Sequence, residues 1–518
     1  MSKILVVEDE IDQLNMRRQI LEQAGYEVAT AQTASEALER LPGAQVVLMD
    51  LQVPTAEDGL QLIRAASGTV RIVVLSGAES DVKLPVDEYL IKPCSSRKLL
   101  ETIARLCMLL FCLSALHAES FKVAKPIEMI AELDLRARGT DWAKEGHEAA
   151  LASVILDDSI QQYVMLYAGA EPFTYKIFLG FLTAGTHSLE ITGEGVQVMK
   201  MRFHDDSSDV VAHAPILYAR PNTIGKFTDI PLMVYCERST FERQRVLQYT
   251  VIFSNEDGGT STAALMARWG RTTDIEYVYR VFLAEDGSRR KSIIQTKEHK
   301  EIEFDGIRES MEHPLLMPIT DNNMIGEYDD RSSIRYQIAP ILVDATGHSR
   351  EQIMDEHPIL YKVAAQELKR EGKLREYGKV DGEKIGDPRN YLYFEMRLAK
   401  SESSIATLVR LNGDPRWHSS HLGRTDLAIR TWSRNSAESP NGFVRTTVEL
   451  PPGTKANQIA EIGFQCVVPE KASATPCRVE AVTKCFFLDQ EYRPGDNIWT
   501  LTSPHEIAAG NTWTSALK

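Results

Sequence analysis

The chain has 518 residues, length enough for three or four domains, and its 43% hydrophobic and 25% charged residues give an ordinary globular balance with ample core material. The formal charge is −15, which argues against a nucleic-acid-binding footprint, since that needs a basic face. No repeat with a period of about 20 to 50 residues is visible, which argues against solenoids and propellers.

At the N-terminus, Ile4-Leu5-Val6-Val7 is an apolar strand that ends in Glu8-Asp9. Asp12 to Gln23 reads as an amphipathic helix and Val28 marks a short strand. Thr33-Ala34-Ser35-Glu36 opens a second helix, with a hydroxyl N-cap and an acid three residues on. Val46-Val47-Leu48-Met49 then drives into Asp50 and is followed by Leu51-Gln52-Val53-Pro54. A helix from about Gly59 to Ala66 precedes Ile72-Val73-Val74-Leu75, which ends in Ser76-Gly77, and Tyr89-Leu90-Ile91 ends in Lys92-Pro93. A last helix starts at Ser95-Ser96. Unbroken apolar runs of this length suit parallel strands covered on both faces. The order predicts a doubly wound α/β (βα)₅ fold, in which chemistry lies outside the carboxyl ends of the strands. Taken singly, an acid at a strand end is most often a solvated loop residue, and Glu8-Asp9 could be an ordinary acid pair at a helix N-terminus.

The combination is more specific. Acids after the first and third strands, a hydroxyl after the next and a lysine-proline after the last, in that order, resemble the receiver domain of bacterial response regulators over residues 1–105. The resemblance implies a phosphoacceptor, Asp50, with Ser76 bonding a phosphoryl oxygen and Lys92 countering its charge. It implies Mg²⁺ held by Glu8, Asp9, Asp50 and the backbone carbonyl of Gln52, with Ser76 and Tyr89 as switch residues and a cis Lys92-Pro93 bond. The residue types fit that chemistry. Clustered carboxylates need a cation beside them, and hard Mg²⁺ takes carboxylate, water and phosphate oxygens. The partner implied is a histidine kinase or phosphotransfer protein, and the role is that of a phosphoacceptor rather than an enzyme. Two departures stand out. Gly59 comes one residue late, so Thr55-Ala56-Glu57-Asp58 looks like a loop insertion, and Glu79 to Pro85 leaves room for at most a stunted fourth helix.

Behind the last helix runs Leu106-Cys107-Met108-Leu109-Leu110-Phe111-Cys112-Leu113-Ser114-Ala115-Leu116-His117-Ala118. It is shorter than the roughly 20 apolar residues of a spanning helix, yet it has the texture of a signal-peptide hydrophobic region. Three readings of residues 106–118 stay open: a packed extension of the helix, a short membrane anchor, or the start of an exported protein fused to a receiver.

Beyond Ala118 the texture changes to strands separated by turns. Ala149 to Leu156, Tyr163 to Tyr167, Tyr175 to Leu182 and His187 to Thr192 have strand composition, which predicts a β-sandwich over 119–205. Its look is weakly similar to accessory sandwich domains of secreted carbohydrate-active proteins. His204 to Asp209 reads as a linker. Residues 210–377 form a β-rich block with one helix near Pro358 to Arg370, and alternation along Asp274-Ile275-Glu276 puts the two acids on one strand face. That pair is either the wet side of the strand or a general acid and base. After a second linker, Gly378 to Pro388, residues 389–518 carry strands at Tyr391 to Arg397, Ala406 to Leu411, Leu427 to Trp432, Phe443 to Leu450, Glu461 to Cys466 and Val479 to Leu488, a second sandwich.

Seven cysteines are few, and Cys466, Cys477 and Cys485 cluster near the end. A disulfide among them would fit an oxidising compartment, while free buried thiols are the ordinary alternative. No C-x-x-C, H-E-x-x-H, G-x-S-x-G, P-loop or G-x-G-x-x-G motif is present. Two functions compete: a phosphorelay response regulator, cytoplasmic, with a β-rich output region, and an exported glycan-binding or glycan-hydrolysing protein joined to a receiver.

Overall fold

β-Branched and leucine-rich runs at the N-terminus form the strands β1 (Lys3–Val7), β2 (Glu27–Ala31), β3 (Val46–Asp50), β4 (Arg71–Ser76) and β5 (Glu88–Ile91). They make a five-stranded sheet in the order β2-β1-β3-β4-β5, all paired in parallel. The computed structural model describes residues 3–517 apart from 42–43, 54, 67–69, 78–85, 93, 95–97, 101, 104–105, 107–116, 221–229, 257, 311, 380–382, 431–441, 471 and 511. Contacts divide the chain into two units, Met1–His117 and Ala118–Lys518.

In the first unit, successive strand residues point to opposite faces, and each face is covered. Ile4, Val6, Val46, Leu48, Val73 and Leu75 pack with Leu14, Leu21, Leu99 and Ile103 on one side. Leu5, Val7, Val47, Met49, Ile72 and Val74 pack with Ala37, Leu62 and Ile63 on the other. This two-sided burial is why the strands carry no polar alternation. It leaves only their carboxyl ends to present polar chemistry.

Helix α1 spans Ile11–Gln23, α2 Ala34–Arg40 and α3 Ala56–Ala66. Thr33 caps α2 as expected, its Oγ1 accepting from Glu36 N–H at 3.2 Å, while the Glu36 carboxylate accepts from Gln32 N–H. The insertion read at Thr55–Asp58 is instead the start of α3. Thr55 Oγ1 accepts from Asp58 N–H and donates to Asp58 Oδ2, a cap that the sequence spells as Thr-x-x-Asp. Gly59 then lies inside the helix, where a Cβ would come within 2.0 Å of the Leu51 carbonyl oxygen. The fourth-helix segment 79–85, Pro54, Pro93 and the helix start at Ser95-Ser96 lie outside the described residues. So does 107–116, while Leu106 itself is buried in the first unit's core.

The second unit is β-rich. A three-stranded sheet joins Phe173–Leu182, Ile127–Ala137 and Val196–Asp206, and a four-stranded one joins His117–Val123, Gly185–Thr192, Leu151–Leu156 and Ser159–Met165. A six-stranded sheet runs from Lys300–Glu303 through Arg289–Thr296, Asp274–Leu283, Gln244–Phe253 and Pro231–Phe241 to Ile341–Val343. Two more sheets are built on Tyr391–Leu398 with Cys477–Phe487, and on Ser404–Leu411 with Ile459–Val467. One apolar cluster runs from Phe121 through Val251 and Leu360 to Phe486, and a second fills the last two sheets around Leu392, Phe464 and Ile507.

His204–Asp209 is not a linker. His204, Asp205 and Asp206 finish a strand paired to Glu128–Ile130, and Ser208 caps a short helix, Asp209–Ala212. Polar composition misleads there because the strand has a solvated face. Near the second expected linker, Leu374 bridges to Ile385 and the buried Arg375 guanidinium grips Glu449 at 2.8 and 2.7 Å. The chain is therefore tied to the sheet on both sides of residues 380–382.

Candidate functional site

The carboxyl ends of β1, β3, β4 and β5 bring Glu8, Asp50, Ser76 and Lys92 to one edge of the parallel sheet. Registers fix this arrangement: Val7 stands opposite Met49, Asp50 opposite Leu75 and Ser76 opposite Ile91. Lys92 N–H donates to the Ser76 carbonyl at 2.7 Å, which continues the ladder one residue past β5 and aims the lysine back over the edge.

Lys92 Nζ lies 2.5 Å from Asp50 Oδ2 and 3.7 Å from Glu8 Oε2. The side chains differ in access: Glu8 is 1% exposed, Asp50 15% and Lys92 32%. Asp50 is thus reachable, with one oxygen on the ammonium and the other, Oδ1, accepting from Gln52 N–H at 3.2 Å. Asp9 is exposed, and its carbonyl accepts from Gln32 Nε2 at 3.4 Å. Ser76 is half-buried at the neighbouring strand end. Tyr89 is half-buried too and packs on the face covered by α2 and α3.

Sequence reasoning missed Arg17. It follows Leu14 by three residues and precedes Leu21 by four, so the helical period puts it on the buried stripe of α1, and it is buried there with both leucines. Its Nη1 donates to Glu8 Oε2. Burial lowers the Arg17 pKa, while the fields of Asp50 and Cys94 work the other way. The three-carboxylate cluster expected from Glu8, Asp9 and Asp50 is therefore not gathered. Among the described residues, no group of three or more His, Cys, Asp or Glu side chains is gathered as a metal site. The carboxylates of the exposed Asp9 and the reachable Asp50, with the Gln52 carbonyl, are hard oxygens of the kind Mg²⁺ takes while keeping several waters.

The family model of the response regulator receiver domain matches residues 4–104. Residues 4–104 are a response-regulator receiver domain. Curated relatives include a putative transcriptional regulator of Haloferax volcanii, 33% identical over 165 residues, covering 29% of this chain and 28% of that protein. The transcriptional regulatory protein CpxR of Escherichia coli K12 is 30% identical over 112 residues, covering 20% of this chain and 48% of CpxR. The chain thus spans less than half the length of the curated relatives named here. Among solved structures, the CheY-like receiver domain protein of Methanospirillum hungatei is 29% identical, with 21% of this chain and 94% of that one covered and a TM-score of 0.20.

Outside the receiver, Asp274 and Glu276 do not form the wet side of their strand. Asp274 is buried and accepts from Asn323 Nδ2 at 3.0 Å, and Glu276 is largely buried and accepts from Gln295 Nε2 at 3.1 Å. Burial pushes both carboxyls up. The nearby Glu256 is raised to about 7 by burial and by Asp274. The acid-bearing face of this strand is covered, with Asp274 and its partner Asn323 both buried. Among the described residues, no helix is long and apolar enough to cross a membrane.

Proposed function

We propose that the receiver accepts a phosphoryl group on Asp50 from a histidine kinase or phosphotransfer protein, with Mg²⁺ required. The observation that carries this reading is Asp50 at the open end of the central strand with Lys92 Nζ at 2.5 Å. An oxygen of Asp50 attacks phosphorus in line, the bond from phosphorus to the donor breaks, and the donor leaves with its electron pair. Lys92, already at the carboxylate, turns to the phosphoryl oxygens as Asp50 loses its charge to the acyl phosphate. Ser76 donates to a phosphoryl oxygen, and Tyr89 answers the change at Ser76 as the switch residue. Asp9, Asp50 and the Gln52 carbonyl would hold Mg²⁺, which supplies positive charge against the transferring group. The chain acts as a phosphoacceptor in signalling, and the receiver works in the cytoplasm, where a kinase reaches it.

Acetyl phosphate with Mg²⁺, followed by phosphate-affinity electrophoresis, tests the assignment. Wild type should shift only with metal present. An Asp50→Asn chain that shifts equally would sink it.

For the second unit we propose an output region built of two β-sandwich-like blocks, 119–205 and 389–518, flanking the mixed block 210–377. A second reading has one specific observation behind it. Cys466 and Cys477 form a disulfide, with Cα atoms 5.6 Å apart, and Cys485 is a free buried thiol. Disulfides persist in oxidising compartments, which favours an exported protein that begins near the apolar run. A ribosome-binding site and initiator codon just upstream of residue 106, giving a separate exported product, would support it. Production of the full chain alone would overturn it.

A further inference from the structure

We infer that Arg17 is a resident cation of the phosphoacceptor pocket, holding Glu8 as its counter-ion and so keeping that carboxylate out of the metal's shell. The inference rests on the reading that the receiver binds Mg²⁺ at this edge, and it concerns which of the chain's own residues set that affinity.

Helix α1 buries three side chains on one stripe at the sheet: Leu14, Arg17 and Leu21. A leucine would satisfy the middle position. A guanidinium there is tolerated only if its charge is paired and its donors are used, because an isolated buried charge is costly. Glu8 provides the pairing from the end of β1, and its own side chain is 1% exposed. Each group is therefore the condition for the other's burial. The Glu8 oxygen that accepts from Arg17 lies 3.7 Å from Lys92 Nζ, which is itself 2.5 Å from Asp50 Oδ2, so the guanidinium belongs to the same pocket as the phosphoacceptor.

The charge count follows. Glu8, Asp9 and Asp50 supply three negative charges, and Arg17 and Lys92 supply two positive ones. The buried pair is neutral as a unit, so an incoming dication meets the carboxylates of Asp9 and Asp50, with Lys92 opposing it. Arg17 acts through Glu8 and is a positioning residue. Its presence means that the pocket loads with metal at a higher Mg²⁺ concentration than a site with both acids of Glu8-Asp9 open.

Titration of the full chain with Mn²⁺, with the free ion counted by electron paramagnetic resonance and Mg²⁺ as competitor, reads this directly. Arg17→Met should tighten binding by about tenfold or more, since it removes a unit positive charge beside the site and releases Glu8. The double variant Arg17→Met/Glu8→Gln removes a neutral pair and should bind within about twofold of wild type, the margin of sites that do not interact. It should also unfold at a higher denaturant concentration than either single variant. If Arg17→Met does not fold, the double variant decides on its own. A double variant that binds as weakly as Asp9→Asn would show Glu8 to be a ligand and would overturn the inference. Wild type with no Mn²⁺ site sensitive to Asp9→Asn or Asp50→Asn would instead defeat the metal reading itself, and the inference with it.

Discussion

Trp142 and Glu367 lie 225 residues apart in the chain and meet inside the fold, where the indole Nε1–H donates to Glu367 Oε2 over 3.0 Å. Arg370 lies 3.0 Å from the other carboxylate oxygen and stacks its guanidinium over the Trp142 ring. Burial pushes the Glu367 carboxyl up to about 8, although Arg370 pulls it down. The sign of the pH dependence follows. Below the ordinary value of 4.5 the group is protonated folded or unfolded; above it, the unfolded chain releases the proton while the folded chain keeps it until about 8. Stability therefore falls as pH rises through that window, by up to about 1.4 kcal/mol per unit from this group. Glu367→Gln still accepts from the indole and should flatten the fall. Urea unfolding at pH 5 and pH 8 measures it, and an equal drop in both proteins would refute the assignment.

Lys92 makes a prediction for the receiver. The ammonium opposes a dication but favours a phosphoryl group, so Lys92→Ala should leave metal binding intact or stronger while impairing phosphorylation. Metal titration and acetyl phosphate labelling on the same preparation separate the two effects. Weakened metal binding in Lys92→Ala would show that the lysine's part is structural.

Arg445 joins two parts of the second unit. Fully buried on the strand Phe443–Glu449, it grips Asp355 at 2.8 and 2.9 Å and reaches Glu395 at 3.2 Å. Tyr361 and Lys484 also donate to Asp355, each at 2.8 Å. Burial would raise the Asp355 carboxyl, but Arg445 and Lys484 outweigh it and hold the group below its ordinary range. Asp355→Ala leaves Arg445 buried with only part of its charge answered and should cost about 3–5 kcal/mol in chemical denaturation. A loss near zero would mean that the strand and the helices around Asp355 are held by packing alone.

The receiver was legible because its signals are local and its strand ends are punctuated. Val46 to Asp50 says buried strand and then reactive edge without any long-range information. Arg17 was not legible, because a basic residue at a helical position reads as solvent-facing until the partner on another element is known. The cap at Thr55 is spelled Thr-x-x-Asp, but the late Gly59 gives the same stretch the look of an inserted loop. In the second unit, Tyr391–Leu398 and Phe443–Glu449 are apolar enough to be read as strands. The central strand Ile127–Ala137 was missed because Glu128, Glu132 and Asp134 interrupt it. Glu132 is answered across the sheet by Lys176 and Arg202, and Asp134 by Arg202 and Thr174. Such cross-strand pairs let a charged sequence be a strand. Sequence order alone does not reveal them.

The disulfide offers the sharpest test of where the second unit folds. Cys466 and Cys477 are 11 residues apart, near the end of one strand and at the start of the next, and so join the last two sheets. Ser403 Oγ donates to the Thr475 carbonyl at 2.7 Å and accepts from its N–H at 3.1 Å, so the loop is pinned beside the bridge as well as by it. Closing a loop of this length restricts the unfolded chain by about 3 kcal/mol in the chain-entropy account. Cys466→Ser/Cys477→Ser should lose about that much, and dithiothreitol should lower the wild-type unfolding midpoint while leaving the double variant's unchanged. Non-reducing peptide mapping should recover the 466–477 pair linked and Cys485 as a thiol. Chain isolated from the cytosol with all three thiols free, and with a midpoint indifferent to reductant, would remove the case for an oxidising compartment. The phosphorelay reading would then be the one consistent with a single cellular location for both units.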